Sequence, residues 1–337
     1  MKHRPDEMLA LVLHEYGAPL RLATVARPTL REGQVLVRIH ASGVNPLDIK
    51  IMKGAAPHAR HPLPSILGLD LAGIVEDVSP DVTAFRPGDE VFGTTGGVGG
   101  HQGSLAELAA VDARLLALKP TTLSMREAAA LPLIFITAWE GIVDHARVAR
   151  GDTVLVQGGA GGVGHIVVQI AAAFGAKVFA TCRPESQWIV ERFGAVPIDY
   201  RSASVEAYVE EHTAGHGFDI VYDTVGGPVL DASFKAVKRS GHVVSCLGWG
   251  THSLGPLSFR AASYSGVFTL LPLLTGVGRE RHGEILKEAA RLAEEGQLTP
   301  VVDSRRFTFD SVSAAHAAVE ARAPGGKRVI EIPVRNL

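Results

Sequence analysis

The chain has 337 residues, 46% of them hydrophobic and 20% charged, which suits two folded domains and excludes a disordered chain. Its 33 basic and 35 acidic residues leave a net charge of −2, so no basic face is implied and nucleic acid is not an expected partner. Two cysteines, Cys182 and Cys246, exclude a disulfide framework and a four-thiolate zinc site.

Residues 8–130 read as β-rich. Short apolar runs at 9–13, 34–41, 72–78, 90–92 and 105–111 alternate with turn signals such as Arg86-Pro87-Gly88-Asp89. The run 8–13 is too short for a secretory signal core. The most apolar window, 128–139, contains Pro132, ends at Glu140 and falls short of the ~20 residues of a membrane span. With few cysteines, the expectation is a soluble protein of a reducing, cytoplasmic compartment with no membrane partner. Residues 125–147 read as helix, bent or interrupted at Pro132.

After Gly151-Asp152 strand and helix patterns alternate. Strands are expected at 153–157, 177–181, 197–200, 218–224 and 241–246, with 266–271 as the last. Helices are expected at 162–174, stopped by Gly175, and at 185–193, 205–212 and 229–237. This spacing indicates βαβ units and a parallel, doubly wound sheet. The remainder, with helices at 283–294 and 311–321, Val301-Val302 and a terminal strand at 328–332, does not continue that series.

The strongest chemical signal follows strand 153–157. In Gly158-Gly159-Ala160-Gly161-Gly162-Val163-Gly164, the residues Gly159, Gly161 and Gly164 fit G-x-G-x-x-G between a strand and a helix. Small residues let backbone amides approach a pyrophosphate, and the helix N-terminus favours its charge. An ATP loop is excluded because no Lys-Ser/Thr follows Gly164. A second glycine cluster, 93–103, has Gln102 where the third Gly would fall and is followed by a strand. It reads as a mobile surface or lid loop. At the end of the second βα strand, where NAD enzymes carry an acid, stand Thr181-Cys182-Arg183. A guanidinium there pairs with a 2′-phosphate, so NADP(H) is expected over NAD(H).

These residues resemble the medium-chain dehydrogenase/reductase superfamily, in its zinc-independent NADPH:quinone oxidoreductase (zeta-crystallin-like) branch. The resemblance covers nearly the whole chain. It rests on Ala41-Ser-Gly-Val-Asn45-Pro46-Leu-Asp48, Leu67-Gly68-Leu69-Asp70-Leu71-Ala72-Gly73 and Arg86-Pro87-Gly88-Asp89-Glu90-Val91. It continues through Leu131-Pro132, Thr137-Ala138-Trp139, the glycine turn and Tyr222-Asp223-Thr224-Val225-Gly226-Gly227. It implies an α/β protein: a GroES-like β-rich catalytic domain (1–132 and 272–337) plus a doubly wound Rossmann domain (133–271). It also implies a homodimer paired along the last Rossmann strand, around 265–270. The positions of the catalytic zinc ligands in related alcohol dehydrogenases match Asn45 and Leu69, so no metal is expected. Neither His58 with His61 nor His212 with His216 has further ligands nearby in sequence.

The resemblance implies hydride transfer from NADPH to a quinone or an α,β-unsaturated carbonyl compound, a small-molecule substrate. It assigns Asn45 to the nicotinamide ribose and Thr137 to the phosphate or nicotinamide side. Gly159, Gly161, Gly162, Val163 and Gly164 form the pyrophosphate turn. Thr181, Arg183 and Tyr200 go to the 2′-phosphate, Leu247, Gly248 and Trp249 to the loop after the fifth strand, and Phe268 and Thr269 to the carboxamide. Lys327 is a further cofactor contact. Asn45, Lys50 and Thr137 are the candidate catalytic residues. Lys50 stands where many relatives carry Tyr, and is either a donor to an enolate oxygen or a surface lysine. His101 is a similar candidate. Asp48 reads as an N-cap or hydrogen-bond acceptor ahead of an acid/base role. Trp249 is either a cofactor contact or packing, and Tyr200 either a phosphate contact or a strand end. The alternatives are an alcohol dehydrogenase and a non-catalytic, crystallin-like NADPH-binding protein.

Overall fold

The computed structural model describes residues 6–333. The chain divides into two compact units, Met1–Leu133 with Leu270–Leu337, and Ile134–Thr269.

The first unit is β-rich and antiparallel. Strand Gln34–Gly43 is its spine. Along one side it pairs with Asp70–Val78, and the sheet continues through Glu90–Thr94 to Leu116–Leu118. Along the other side, residues 34–38 pair with Leu108–Asp112, and 41–43 pair with the terminal strand Val329–Glu331. The C-terminal tail therefore completes a sheet begun near the N-terminus. Val35, Val37, Ile39, Leu69 and Leu71 pack there with Phe307, Phe309 and Ile330, and removing their apolar surface from water drives the closure. A smaller sheet joins Arg21–Ala26, Glu7–Leu13 and Ser65–Ile66.

The second unit is a six-stranded parallel sheet with helices between its strands. Its strands, in chain order, are Thr153–Gln157, Lys177–Cys182, Val196–Asp199, Phe218–Asp223, Val237–Ser245 and Ser263–Gly266. Their order in space is third, second, first, fourth, fifth, sixth, the dinucleotide-binding arrangement. Val154, Leu155 and Val156 are wholly buried, as a strand covered on both faces requires. Helix Gly164–Ala173 is buried from Gly164 to Ala171 and ends before Gly175 at φ +82°, as its apolar pattern predicts. The expected α/β architecture of a GroES-like unit plus a doubly wound unit is what the chain forms.

Several local expectations are corrected. The last parallel strand is Ser263–Gly266, not 266–271, because Leu271–Thr275 is a helix with Pro272 in its first turn. That strand lies at the sheet edge and is polar, so apolar patterning passes over it. Strand Arg21–Ala26, at the edge of the smaller sheet, is a further strand beyond those expected; its side chains are exposed or half-buried although four of the six are apolar. The short helix Pro46–Met52 is an element beyond those expected; its N-cap is Asn45, and Asp48, read as an N-cap, stands at its third position. Val301-Val302 forms only one bridge, from Val302 to Lys327. The helical region breaks at Pro132 as expected, into Met125–Ala129 and Pro132–Trp139. A widened turn, Glu140–His145, follows, in which the Ala146 N–H reaches back to Gly141 O at 2.9 Å.

The second glycine cluster, read as a surface or lid loop, reaches the surface only at residues 99–101. Residues 91–98 are buried, and a Cβ on Gly97 would stand 2.4 Å from the Gly68 carbonyl oxygen. Its glycines permit close backbone packing.

Candidate cofactor and active site

In the β-rich unit the sequence Asn45-Pro46-Leu47-Asp48 opens helix Pro46–Met52. The Asn45 N–H donates to Asp48 Oδ2 at 2.8 Å, so Asp48 has the hydrogen-bond-acceptor role expected of it. Burial, the largest influence on it, pushes the Asp48 carboxyl up to about 7.

Asn45 Nδ2 donates to Asp70 Oδ2 at 2.8 Å, and Asp70 Oδ1 accepts from the Leu133 N–H at 2.9 Å. Lys327 Nζ donates to Val44 O at 2.8 Å and to Asn45 Oδ1, and lies 3.6 Å from Asp70 Oδ2. Asn45, Asp70 and Lys327 are 1%, 0% and 7% exposed, so this is a buried ion pair threaded through an amide. Burial raises the Asp70 pKa and lowers that of Lys327, each opposed by the other's charge.

The structure thus brings together Asn45 and Lys327, both expected at the site. It adds Asp70, which sequence reasoning had noted only as part of a motif. An acid inside the apolar run Leu67–Ala72 was the available signal, since a buried carboxylate needs a donor or a cation. Lys327 has its donors turned inward, onto Val44, Asn45 and Asp70. Lys50 is exposed on the helix whose other positions bury Asp48, Ile49 and Ile51, and it does not join this cluster. His101 does not join it either; its Nε2 lies 2.9 Å from Arg279 Nη2.

In the doubly wound unit the glycine turn is held from below. Thr181, only 3% exposed, accepts from the Gly158 N–H at 2.9 Å and donates to Gln157 Oε1 at 2.8 Å. Its hydroxyl is spent inside the sheet, which corrects its expected place at the 2′-phosphate. Gly164 cannot be replaced without moving the turn, because its Cβ would stand 2.2 Å from Gly158 O. Gly161 and Gly162 are exposed and Val163 half-buried; the Gly161 N–H donates to Gly158 O at 2.9 Å within the turn, while Gly162 and Val163 stand at the opening of helix Gly164–Ala173, where N–H groups have no intrahelical acceptor. Gly159 is buried against Ala180.

Cys182 and Asp199 are paired at the ends of the second and third strands, so Arg183 and Tyr200 leave adjacent strand ends. Tyr200 is 52% exposed and Arg183 half-buried. The nearby acid, Glu185, lies 3.5 Å from Arg201, a residue sequence reasoning passed over.

Thr137 Oγ1 and Thr269 Oγ1 are 3.0 Å apart, and Thr269 donates to Glu140 Oε2 at 2.8 Å. Tyr222 OH donates to Thr137 O at 2.6 Å, and Gly141 leaves room for the Tyr222 ring. Two expected residues thus meet, fixed by two that had no assigned role.

Trp249 and Phe268 meet edge to face at 6.1 Å between centroids. Leu247 is half-buried and Gly248 exposed. The Leu247 N–H donates to Ser245 Oγ at 3.0 Å, and Ser245 donates to Asp223 Oδ2 at 2.7 Å. Asp223 also accepts from the Val225 and Gly226 amides, so one buried acid organises the loops after the fourth and fifth strands.

Two family models match: the alcohol dehydrogenase GroES-like domain over residues 31–121 and zinc-binding dehydrogenase over residues 193–330. A 2-methylene-furan-3-one reductase of Solanum lycopersicum is 38% identical, over 97% of this chain and 79% of its own. An NADPH-dependent alkenal/one oxidoreductase, chloroplastic, of Arabidopsis thaliana is 35% identical over 97% of this chain and 80% of its own. A crystal structure of an alcohol dehydrogenase superfamily protein from Novosphingobium aromaticivorans is 58% identical with a TM-score of 0.94. It covers 97% of this chain and all of that one. The zinc in one family description does not fit the residues present. Asn45 is bonded to the Lys327 ammonium, which a bound cation would have to face, and among the described residues no three His, Cys, Asp or Glu side chains converge to hold a metal. From the two-unit architecture, the glycine turn and relatives matched over almost its full length, the chain belongs to the medium-chain dehydrogenase/reductase superfamily of oxidoreductases.

Proposed function

We propose that this protein reduces the carbon–carbon double bond of α,β-unsaturated aldehydes and ketones with NADPH and without a metal. The observation that carries this reading is the similarity, over nearly the whole chain, to two reductases whose names specify conjugated carbonyl compounds. Quinones, which are doubly conjugated enones, are the second acceptor class.

When bound, NADPH supplies the hydride, which adds to the β-carbon of the acceptor. The amides of Gly162 and Val163, with the helix N-terminus behind them, take the pyrophosphate, and Gly161, whose own N–H closes the turn onto Gly158 O, lets it approach. Gly159 and Gly164 keep the turn tight. Arg183 and Tyr200 take the 2′-phosphate, and Glu185 is kept from repelling it by Arg201. Thr137 and Thr269, braced by Glu140, hold the nicotinamide side together with Phe268. Leu247, Gly248 and Trp249 line the cofactor after the fifth strand. Asn45 is assigned to the nicotinamide ribose. Lys327 and Asp70 act through Asn45, fixing both ends of its amide. The proton on the α-carbon comes from solvent; Lys50 is given no part.

We infer further that two copies pair along strand Ser263–Gly266, whose outer edge has no neighbour in the sheet order. Exposed Phe259 and Tyr264 on the same unit suit a covered surface. The two free thiols fit a reducing compartment such as the cytoplasm. Among the described residues no helix is long and apolar enough to cross a membrane.

Reduction of an enone with NADPH deuterated at its transferable position tests the reading. Deuterium on the β-carbon of a saturated ketone is expected. Deuterium on the carbonyl carbon of an alcohol would make the protein an alcohol dehydrogenase. Tight NADPH binding without product would make it a binding protein.

A further inference from the structure

The loop 246–254 joins the fifth strand to helix Gly255–Ser258 and carries Leu247, Gly248 and Trp249. Asp223 braces its start through Ser245. His252 holds its far half. His252 Nδ1 lies 2.9 Å from Asp231 Oδ1 on helix Pro228–Ala236, and Nε2 lies 3.4 Å from the Trp249 carbonyl oxygen. Its ring stands edge-on to Phe234, with 6.2 Å between centroids, and the side chain is 11% exposed.

A carboxylate and a carbonyl oxygen only accept hydrogen bonds. An imidazole between them satisfies both only when both of its nitrogens carry a proton. The neutral ring turns one lone pair against an oxygen and releases either the helix or the loop.

We propose that His252, as an imidazolium, is a positioning residue for NADPH: it clamps the Trp249 carbonyl to helix Pro228–Ala236 and so sets the loop carrying Leu247, Gly248 and Trp249 against the dinucleotide. This rests on the cofactor role given to that loop under the proposed function. The charged groups that bear on the ring are Asp231, from the helix, and Asp223, from the end of the fourth strand. Both are acidic. The hydrogen bond to Asp231 is the largest influence holding the His252 pKa above the usual histidine range, helped by the Trp249 carbonyl and the charge of Asp223. The clamp is therefore complete below that raised pKa and is lost as pH rises through it.

The test is the Kd of NADPH for the full chain from mildly acidic to alkaline pH, in wild type, Asp231→Asn and His252→Gln, with melting temperatures alongside. In wild type, affinity is expected to fall about 3- to 10-fold through one step as pH rises, the worth of one net hydrogen bond. Asp231→Asn moves the step to lower pH. His252→Gln abolishes it and keeps the weaker, alkaline affinity throughout. Titration of the NADPH 2′-phosphate is common to all three proteins and drops out of the comparison. A His252→Gln protein that keeps the wild-type step overturns the proposal, as does an Asp231→Asn protein whose midpoint does not move. Wild-type binding with no step overturns the clamp alone. No binding of NADPH at any pH overturns both the clamp and the proposed function.

Discussion

Replacing Lys327 by Met keeps the length of the side chain and removes its ammonium from the centre of the β-rich unit. Lys327 is 7% exposed and its partner Asp70 is fully buried. After the change Asp70 keeps the Leu133 and Asn45 donors, at 2.9 and 2.8 Å, but loses its counter-charge. Asn45 Oδ1 and Val44 O each lose a donor. Breaking a buried pair from one side costs about 3–5 kcal/mol. At about 2–4 °C per kcal/mol for a unit of this size, the melting temperature should fall by about 6–20 °C. Adding Asp70→Asn removes the stranded charge, so the double variant should melt above Lys327→Met alone. Calorimetry of the four proteins gives the coupling, and NADPH titration of the same samples shows whether Asn45 still serves the cofactor. A Lys327→Met protein melting within about 2 °C of wild type, or strict additivity of the two changes, would refute the network as the support of Asn45.

Arg183→Ala should weaken NADPH about 10–150-fold, the loss of one charge-assisted contact of about 1.5–3 kcal/mol, and leave NADH nearly unchanged. Equal losses for both cofactors would remove Arg183 from the 2′-phosphate. Gly164→Ala should cost about 1–3 kcal/mol of stability and most NADPH binding, because its Cβ would meet backbone at 2.2 Å. Gly162→Ala, whose nearest neighbour would be Ile134 at 3.7 Å, should melt like wild type and still bind NADPH more weakly; unchanged binding would place the pyrophosphate elsewhere. The Asp48 carboxyl, pushed up to about 7 by burial, keeps in the folded chain a proton that the unfolded chain releases near pH ~4. Stability should therefore fall as pH rises between those values, and Asp48→Asn should flatten that slope. Identical pH–stability profiles for the two proteins would contradict a protonated Asp48.

The parallel half of the fold was legible because both of its faces are covered. Runs such as Val154-Leu155-Val156 and the apolar helix Gly164–Ala173 write burial directly into composition. Edges were not legible: Arg21–Ala26 and Ser263–Gly266 are strands by pairing with neighbours while their side chains stay polar or exposed. The glycine turn could be read from its spacing. The glycines of 93–103 share its composition, but Gly93, Gly97 and Gly103 are small to admit backbone from Leu115, Gly68 and Leu67. At the site, individual residues could be read but their partners could not. Asn45 with Lys327, and Thr137 with Thr269, were each expected near the cofactor. What holds them depends on tertiary contact: Asp70 bonds Asn45 from 25 residues on, and Glu140, close to Thr137 in sequence, bonds Thr269 across 129 residues. Thr181 shows the same limit from the other side: expected at the 2′-phosphate, its hydroxyl bonds Gly158 and Gln157 instead, partners that only the folded turn supplies.

Turnover tests the central claim most directly. NADPH consumption would be followed with an alkenal, an aryl enone, a benzoquinone and a simple ketone, with NADH in parallel. The account predicts reduction of the alkenal or the enone with NADPH, a lower kcat/KM with NADH, and no reaction of the simple ketone. Reduction of the simple ketone, or a preference for NADH, would contradict it.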